Sequence, residues 1–179
     1  ESMRIGVSMD RFNNGNRWGE RVYEKIKEFG FDCNRLTVAD VGASTGGFTD
    51  CLLQNGAKKV YSIDVGYGQL DWKLRQDERV RNMERTNIRY VTEADIDEKL
   101  DFASIDVAFI SLKLVLPVVY NLLTDEGEVV ALIKPQFEAG REKVEKKGVV
   151  REPKIHKMVL DNFVALVKQL GCTILGLTY

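Results

Sequence analysis

The sequence predicts an α/β fold in which a mostly parallel sheet carries helices on both faces. Short apolar segments typical of buried strands alternate with longer helix-forming segments along the chain. A loop of small residues follows the first clear strand, as at strand-to-helix turns where a ligand approaches the backbone. The length of 179 residues and the apolar content of 44% suit one domain with a substantial core.

The predicted elements follow one another with short connections. Strands in the centre of a parallel sheet are short and apolar, and we predict them at Leu36–Val41, Val60–Asp64, Val80–Met83, Ile105–Ile110, Glu128–Ile133 and Cys172–Thr178. Helices are predicted at Arg17–Phe29, Gly46–Asn55, Leu70–Gln76, Leu112–Leu123 and Lys154–Leu170. Pro117 lies inside the fourth helix and should kink or delay it.

Two segments depart from this alternation. Residues 1–16 combine a small apolar patch with a turn-like Asn-Asn-Gly-Asn, which fits an extra strand, a disordered arm or a vector remnant. The domain itself is therefore placed at residues 17–179. Residues 138–151 are rich in charge and contain two glycines, which predicts a solvated, mobile loop. Because this loop follows the end of a strand, it is either a plain surface connection or a substrate-facing loop.

Composition excludes several classes of protein. The net charge of −1 gives no overall attraction to nucleic acid or anionic membranes, so a polyanion site must come from a local cluster. No apolar segment approaches the roughly 20 residues of a membrane-spanning helix, and we expect no membrane insertion. The widely spaced Cys33, Cys51 and Cys172 predict reduced, buried thiols rather than disulfides or a metal site. These features favour a cytoplasmic protein.

The sequence DVGASTGGFTD, which begins at Asp40, is the strongest functional signal. It combines an almost bare backbone with the start of a predicted helix, through Gly42, Ala43, Ser44, Gly46 and Gly47. The Lys-Ser/Thr pair of a P-loop and the spacing of a dinucleotide fingerprint are both absent. Asp64 ends the next strand, where an acidic residue meets a ribose in nucleoside-binding βαβ units. The pattern predicts a nucleoside site, either of the S-adenosylmethionine type or a generic turn of this kind.

Asp106 and Lys134 are ionisable residues at or inside apolar strands. Burying either charge alone costs several kcal/mol, so each needs a partner or a cleft. Either they pair with other surface charges, or adjacent strands bring them together. In the second interpretation, which we favour, Lys134 beside Asp106 can orient a hydroxyl and, if desolvated, act as a general base. Such a pair suits deprotonation of a ribose 2′-hydroxyl during methyl transfer.

From about Arg21 to Tyr179 the chain resembles the TlyA family, FtsJ-like rRNA methyltransferases that also carry the label hemolysin. The resemblance rests on DVGASTGGFTDCLLQNGAKKVYSIDVGYGQLDWKLRQDERV, ERTNIRY, SIDVAFISL, ALIKPQFEAGRE and KKGVVREP. It implies a Rossmann-like methyltransferase fold with S-adenosylmethionine as the methyl donor. It also implies 2′-O-methylation of cytidine in ribosomal RNA, with ribosomal subunits as partners.

The resemblance assigns roles position by position. The small-residue loop with Asp40 matches the cofactor loop, Asp64 matches the acid that binds ribose, and Asn87 matches a position near the adenine. The catalytic set of FtsJ-like enzymes is Lys-Asp-Lys-Glu, and Asp106 and Lys134 match its second and third members.

The first and last members of this catalytic set are matched less well by this chain. Arg21 stands at the first lysine position, where a guanidinium can hold phosphate or ribose but is a poor proton acceptor. The family's terminal glutamate and last strand are expected beyond Tyr179, and its S4-type RNA-binding module before residue 17. Two other functions therefore stay open beside the enzyme. One is a non-catalytic RNA- or ribosome-binding module, and the other is a membrane-active hemolysin, which the lack of a spanning segment disfavours.

Overall fold

The structure is a computed structural model that describes residues 4–8, 18–145 and 148–178. Its seven strands are β1 (Arg4–Ser8), β2 (Thr37–Val41), β3 (Lys59–Ile63), β4 (Val80–Met83), β5 (Leu100–Ile105), β6 (Leu123–Leu132) and β7 (Thr173–Thr178). Its α-helices are α1 (Trp18–Glu28), α2 (Gly47–Gln54), α3 (Trp72–Gln76), α4 (Leu112–Leu122), α5 (Pro135–Glu138) and α6 (Pro153–Gln169). Short 3-10 turns occupy Ile88–Tyr90, Glu93–Asp95 and Arg141–Lys143.

The strands form one sheet in the order β4-β3-β2-β5-β6-β1-β7, and the strand pairs of the described residues are parallel. Parallel neighbours require crossover connections, which bring helices onto the sheet. Helices α1, α2 and α3 bury apolar side chains against one face. Helices α4 and α6 bury theirs against the other face. The predicted α/β class, with helices on both faces, is therefore confirmed.

The predicted strand Ile105–Ile110 is wrong, because β5 spans Leu100–Ile105 and ends before Asp106. Two polar residues interrupt the apolar pattern of this strand in the sequence. In the structure Asp101 accepts the backbone N–H of Thr37 at 2.9 Å, and Ser104 is buried. Beyond Ile105 the chain leaves the sheet, and Phe109 is 90% exposed. The correction moves Asp106 from the strand interior to the sheet's carboxyl edge, where parallel sheets bind ligands.

The two segments that depart from the predicted alternation, residues 1–16 and 138–151, are partly structured. Residues 4–8 form β1, which lies between β6 and β7, whereas residues 1–3 and 9–17 lie outside the described part. The prediction of a wholly solvated loop at residues 138–151 is wrong near both of its ends. Ala139 and Val150 are only 4% and 7% exposed, because both side chains join the core beneath α4 and α6. Residues 146–147 lie outside the described part.

Several smaller features belong to the fold. Cys33, Cys51 and Cys172 are buried free thiols, as predicted, and burial raises the pKa of Cys51 to about 11. Helix α4 begins at Leu112 and continues across Pro117 to Leu122, so the proline does not delay it. Among the described residues there is no cluster of side chains suited to a metal ion. A search of the same residues for a helix long and apolar enough to cross a bilayer finds none.

Candidate active site

The loop between β2 and α2 adopts a backbone that favours glycine at two points. Gly42 has a φ of +87° and Gly46 a φ of +95°, both in the left-handed region. A β-carbon on Gly42 would lie 1.9 Å from the carbonyl oxygen of Asp106, and one on Gly46 would lie 2.2 Å from a methyl group of Leu74. The loop is therefore bare because its surroundings leave no room for side chains at these positions.

Asp64 holds this loop from the neighbouring strand. Its carboxylate accepts the backbone N–H of Ser44 and that of Gly66, each at 2.8 Å. The bond to Ser44 joins the end of β3 to the loop after β2, and the bond to Gly66 fixes the turn that follows Asp64. A narrow cleft lies at this point. This cleft is lined by Ala43, Ser44, Ser62, Asp64, Gly66, Gln69, Leu70, Asn82 and Glu84. The acidic residue predicted to meet a ribose thus lies at the cleft.

Gln69, Asn82 and Glu84 are polar residues of the cleft that the sequence patterns did not single out. Asn82 and Glu84 lie at the carboxyl end of β4, so the rule that ligands bind at this edge of a parallel sheet could have found them. Glu84 is held in place by Arg75, which forms an ion pair with it, and by the backbone N–H of Gly68 at 3.0 Å.

Asp40 lies beneath the loop rather than in the cleft. In the register of the sheet it stands between Ser62 of β3 and Ser104 of β5. Its carboxylate accepts hydrogen bonds from Thr49 at 2.8 Å and from Ser104 at 3.3 Å. The side chain is 3% exposed, and this burial raises the pKa of Asp40 to about 6, although the two hydroxyl donors oppose the shift. A direct cofactor contact by Asp40 stays a prediction.

Asn87 has a local role in the structure. Its side chain accepts the backbone N–H of Arg89 at 3.0 Å and so caps the turn Ile88–Tyr90. It is not among the residues that line the cleft. Its placement near an adenine stays a prediction.

Asp106 and Lys134 meet where the carboxyl ends of β5 and β6 lie side by side. Lys134 Nζ is 2.6 Å from Asp106 Oδ1, and the two side chains are 23% and 27% exposed. Asp106 Oδ1 is buried and lacks an aligned hydrogen bond among the described residues, so its contact with Lys134 is a charge interaction. The proximity predicted for these residues is confirmed.

Arg21 is an exposed residue of α1. The start of this helix packs on the start of α2, since a β-carbon on Gly19 would lie 3.0 Å from the carbonyl oxygen of Gly47. Within the described part of the chain, Arg21 forms no ion pair, and no contact joins it to Asp106 or Lys134. Its catalytic position stays a prediction.

Aromatic rings surround the strand ends. Phe109 lies three residues after Asp106 with a φ of +63°, and its exposed ring is 5.1 Å from that of Phe137. Tyr67 and Trp72 are 67% and 69% exposed, so neither ring packs in the core. Phe109 was missed because its apolar neighbours suggested a strand, although an aromatic residue just after a strand-end carboxylate was a usable signal.

The basic segment from residue 57 to residue 89 divides into two groups. One group pairs with carboxylates and comprises Lys58, Lys59, Arg75, Arg79 and Arg81. Arg85 and Arg89 form no ion pair within the described ranges. The guanidinium of Arg85 lies 4.2 Å from the ring centre of Tyr67, and that of Arg89 lies 5.7 Å from that of Tyr90. The five paired residues thus belong to a charge-balanced surface, whereas Arg85 and Arg89 contact aromatic rings.

Comparison with known proteins gives consistent relatives. The chain is 53% identical over 165 residues to the Bacillus subtilis protein named "Putative rRNA methyltransferase YqxC", covering 92% of this chain and 59% of that protein. It is 43% identical over 156 residues to the 16S/23S rRNA (cytidine-2′-O)-methyltransferase TlyA of Mycobacterium tuberculosis, covering 87% of this chain and 58% of that protein. The chain thus spans about three fifths of the length of these two relatives.

Solved structures agree with this result. A "Putative hemolysin from Streptococcus thermophilus" matches with a TM-score of 0.83 at 49% identity, covering 90% of this chain and 59% of that one. An S-adenosylmethionine dependent methyltransferase from Mesorhizobium loti matches with a TM-score of 0.54 at 15% identity, covering 70% and 57% of the two chains. The second likeness shows the fold alone, which is that of S-adenosylmethionine-dependent methyltransferases.

The model of one family, described as FtsJ-like methyltransferase, matches residues 16–178. S-adenosylmethionine is the cofactor of such enzymes, and the roles of the bare loop and of Asp64 in holding it stay predictions. The match extends over nearly the whole chain and includes the elements that carry the cleft and the Asp106–Lys134 pair. The chain belongs to the FtsJ-like methyltransferase family.

Proposed function

We propose that this chain is the catalytic part of an S-adenosylmethionine-dependent methyltransferase that modifies the 2′-hydroxyl of cytidine in ribosomal RNA. The observation that carries the proposal is the position of the Asp106–Lys134 pair directly beside the bare loop, with Gly42 against the backbone of Asp106. The substrate follows from the TlyA relative, which is named for this reaction. A ribosomal substrate also places the protein in the cytoplasm, with ribosomal subunits as partners.

The residues present fit the cofactor. The loop at Gly42 and Gly46 lets a nucleoside lie against the main chain. The carboxylate of Asp64 accepts one amide on each oxygen, and each carboxylate oxygen can accept a further donor such as a ribose hydroxyl. S-adenosylmethionine supplies an electrophilic methyl group on a positively charged sulfur when it is bound.

Asp106 and Lys134 prepare the attacking hydroxyl. The 2′-hydroxyl must lose its proton as its oxygen bonds to the methyl carbon, and the carboxylate of Asp106, whose side chain is 27% exposed, can accept a hydrogen bond from it. Lys134 Nζ, 2.6 Å from Asp106 Oδ1, offsets the negative charge that develops on the ribose oxygen. The pair thus orients the hydroxyl, and it is the nearest acceptor for the proton.

An RNA surface adjoins this site. Arg85 and Arg89 have no carboxylate partner in the described part of the chain, which leaves them available to phosphate. The exposed rings of Tyr67, Tyr90 and Phe109 offer faces for unpaired bases, which is how proteins commonly hold single-stranded RNA. These arginines and rings provide a local contact surface for RNA, although the net charge of the whole chain is −1.

The test is transfer of tritiated methyl groups from S-adenosylmethionine to ribosomal subunits by the full-length protein. Lys134→Ala and Asp106→Ala should each lower kcat by about 10² to 10⁴-fold, the usual contribution of proton transfer by a side chain. The control is Lys157→Ala, because Lys157 is an exposed lysine of α6 paired with Asp161. Undiminished transfer by both active-site variants would refute the mechanism. Absence of S-adenosylmethionine binding by calorimetry would instead favour a non-catalytic RNA-binding module.

A further inference from the structure

We propose that Glu138 is a positioning residue that holds Asp106 and Lys134 in register by tying together the two segments that carry them. The Asp106 segment is residues 106–111, which follow β5. The Lys134 turn is residues 134–139, which follow β6 and include α5. This inference rests on the proposed function and adds to it a residue that does not touch the substrate.

Glu138 spans the two segments with both of its carboxylate oxygens. Oε2 accepts the hydroxyl of Ser111 at 2.6 Å, and Oε1 accepts the backbone N–H of Leu112 at 2.8 Å. Ser111 is the N-cap of α4 and Leu112 is its first residue, so the carboxylate lies at the positive end of an eleven-residue helix. The backbone N–H of Leu112 has no carbonyl partner within α4, as is usual in the first turn of a helix. Glu138, 26 positions along the chain, supplies its acceptor.

Glu138 and Lys134 are the two ends of one helical turn. The backbone N–H of Phe137 bonds to the carbonyl of Lys134 at 2.9 Å, and that of Ala139 bonds to the carbonyl of Pro135 at 2.9 Å. Ala139 is 4% exposed and anchors the end of the turn in the core. Because the turn moves as a unit, fixing Glu138 also fixes the direction in which the Lys134 side chain leaves the backbone.

The Asp106 segment is fixed at its other end by the sheet. The backbone N–H of Asp106 bonds to the carbonyl of Val41 at 2.9 Å, while Ser111 at the far end is held by Glu138. Between them, Val107 and Ile110 pack against the core, whereas Phe109 is in a left-handed conformation with an exposed ring. The Glu138 contacts thus anchor this segment at the end away from the sheet.

Two other contacts link the segments, and neither contains an aligned hydrogen bond. One is the ion pair of Lys134 with Asp106, and the other joins the ring of Phe137 to the exposed ring of Phe109. Among the described residues, Glu138 joins the segments through two hydrogen bonds, and the charge of its carboxylate strengthens both of them. Loss of Glu138 should therefore let the reacting pair separate while the cofactor loop stays in place.

Two measurements on the full-length protein test this role. The first is the crystal structure of Glu138→Ala, in which the separation of Lys134 Nζ and Asp106 Oδ1 should exceed 4 Å, compared with the present 2.6 Å. The second is steady-state kinetics, in which Glu138→Ala should lower kcat at least tenfold with an unchanged KM for S-adenosylmethionine. Glu138→Gln keeps an acceptor for Leu112 and should recover most of the lost kcat.

Glu142→Ala is the matched control, since Glu142 is an exposed glutamate four residues further along, and it should keep the parental kcat. An unchanged Nζ–Oδ1 separation or an unchanged kcat in Glu138→Ala would overturn the inference, and so would a loss confined to KM or to the melting temperature. If the parental protein does not transfer methyl groups, the proposed function is rejected. The Nζ–Oδ1 separation in the Glu138→Ala structure tests the positioning role in that case as well.

Discussion

Gly42 lies so close to Asp106 that a β-carbon on the glycine would stand 1.9 Å from the carbonyl oxygen of the aspartate. The contact joins the loop after β2 to the end of β5, which are neighbours in the sheet. The proposed cofactor site and the proposed catalytic pair are thus set by the same backbone packing, and a change at this point should affect both.

Gly42→Ala should impair folding and cofactor binding together. The new methyl group must displace the Asp106 backbone, and alanine disfavours the φ of +87°, which adds about 1 kcal/mol of strain. We expect a free energy of unfolding lowered by about 2–4 kcal/mol and cofactor affinity lowered at least tenfold, measured by denaturant unfolding and calorimetry. Gly47→Ala is the control for stability, because a β-carbon there meets nothing within 4 Å. Equal stability of the two variants would contradict the packing argument.

Asp64→Ala should weaken binding of S-adenosylmethionine. The substitution removes the acceptor for the amides of Ser44 and Gly66 and leaves both without their partner. It also removes the charged acceptor proposed for a ribose hydroxyl, a bond worth about 1.5–3 kcal/mol, which corresponds to a roughly tenfold to hundredfold increase in Kd measured by calorimetry. Asp161→Asn on the exposed face of α6 should leave Kd unchanged. An unaltered Kd in Asp64→Ala would remove Asp64 from the cofactor site.

Asp40 should make stability depend on pH. Its pKa is about 6 in the folded protein and about 4 in an unfolded chain, so the fold is stabilised by the bound proton below pH 4, and this stabilisation is lost as pH rises through 6. Two pKa units correspond to about 3 kcal/mol. Relative to the parent, Asp40→Asn should therefore gain up to about 3 kcal/mol in the free energy of unfolding between pH 4 and pH 7.

The measurement for Asp40 is urea unfolding at a series of pH values, with Asp125→Asn as the control for an exposed aspartate. A difference between Asp40→Asn and the parent that stays constant with pH would show that the buried carboxylate keeps its ordinary pKa.

The double substitution Arg85→Ala/Arg89→Ala should weaken RNA binding without affecting the cofactor. Each lost phosphate contact lowers the slope of log K against log salt by about 1, so the slope for ribosomal subunits should fall by about 2 in magnitude. Arg79→Ala is the matched control, because Arg79 is already paired with Asp77. An equal slope for the double variant and the control would show that these two arginines lie outside the RNA surface.

Short-range patterns were reliable where burial and turn chemistry act locally. The strands β2 and β3, the bare loop and the position of Asp64 all follow from a few adjacent residues, and each was predicted to within one or two positions. The prediction failed at β5, where Asp101 and Ser104 are satisfied by Thr37 and Asp40 from a neighbouring strand. A polar residue with a distant partner looks exposed when only its sequence neighbours are considered.

The amino-acid sequence by itself determined the α/β class, the bare loop and the two ionisable residues of the pair, because periodicity and residue type carry that information along the chain. Only the tertiary structure decided which residues meet. It placed Glu138 on Ser111 and Asp40 beneath the loop, and among the described residues it paired Arg81 with Asp97 but gave Arg85 no carboxylate partner. These contacts depend on the order of the strands and on the crossovers between them, which bring together residues that no local pattern relates.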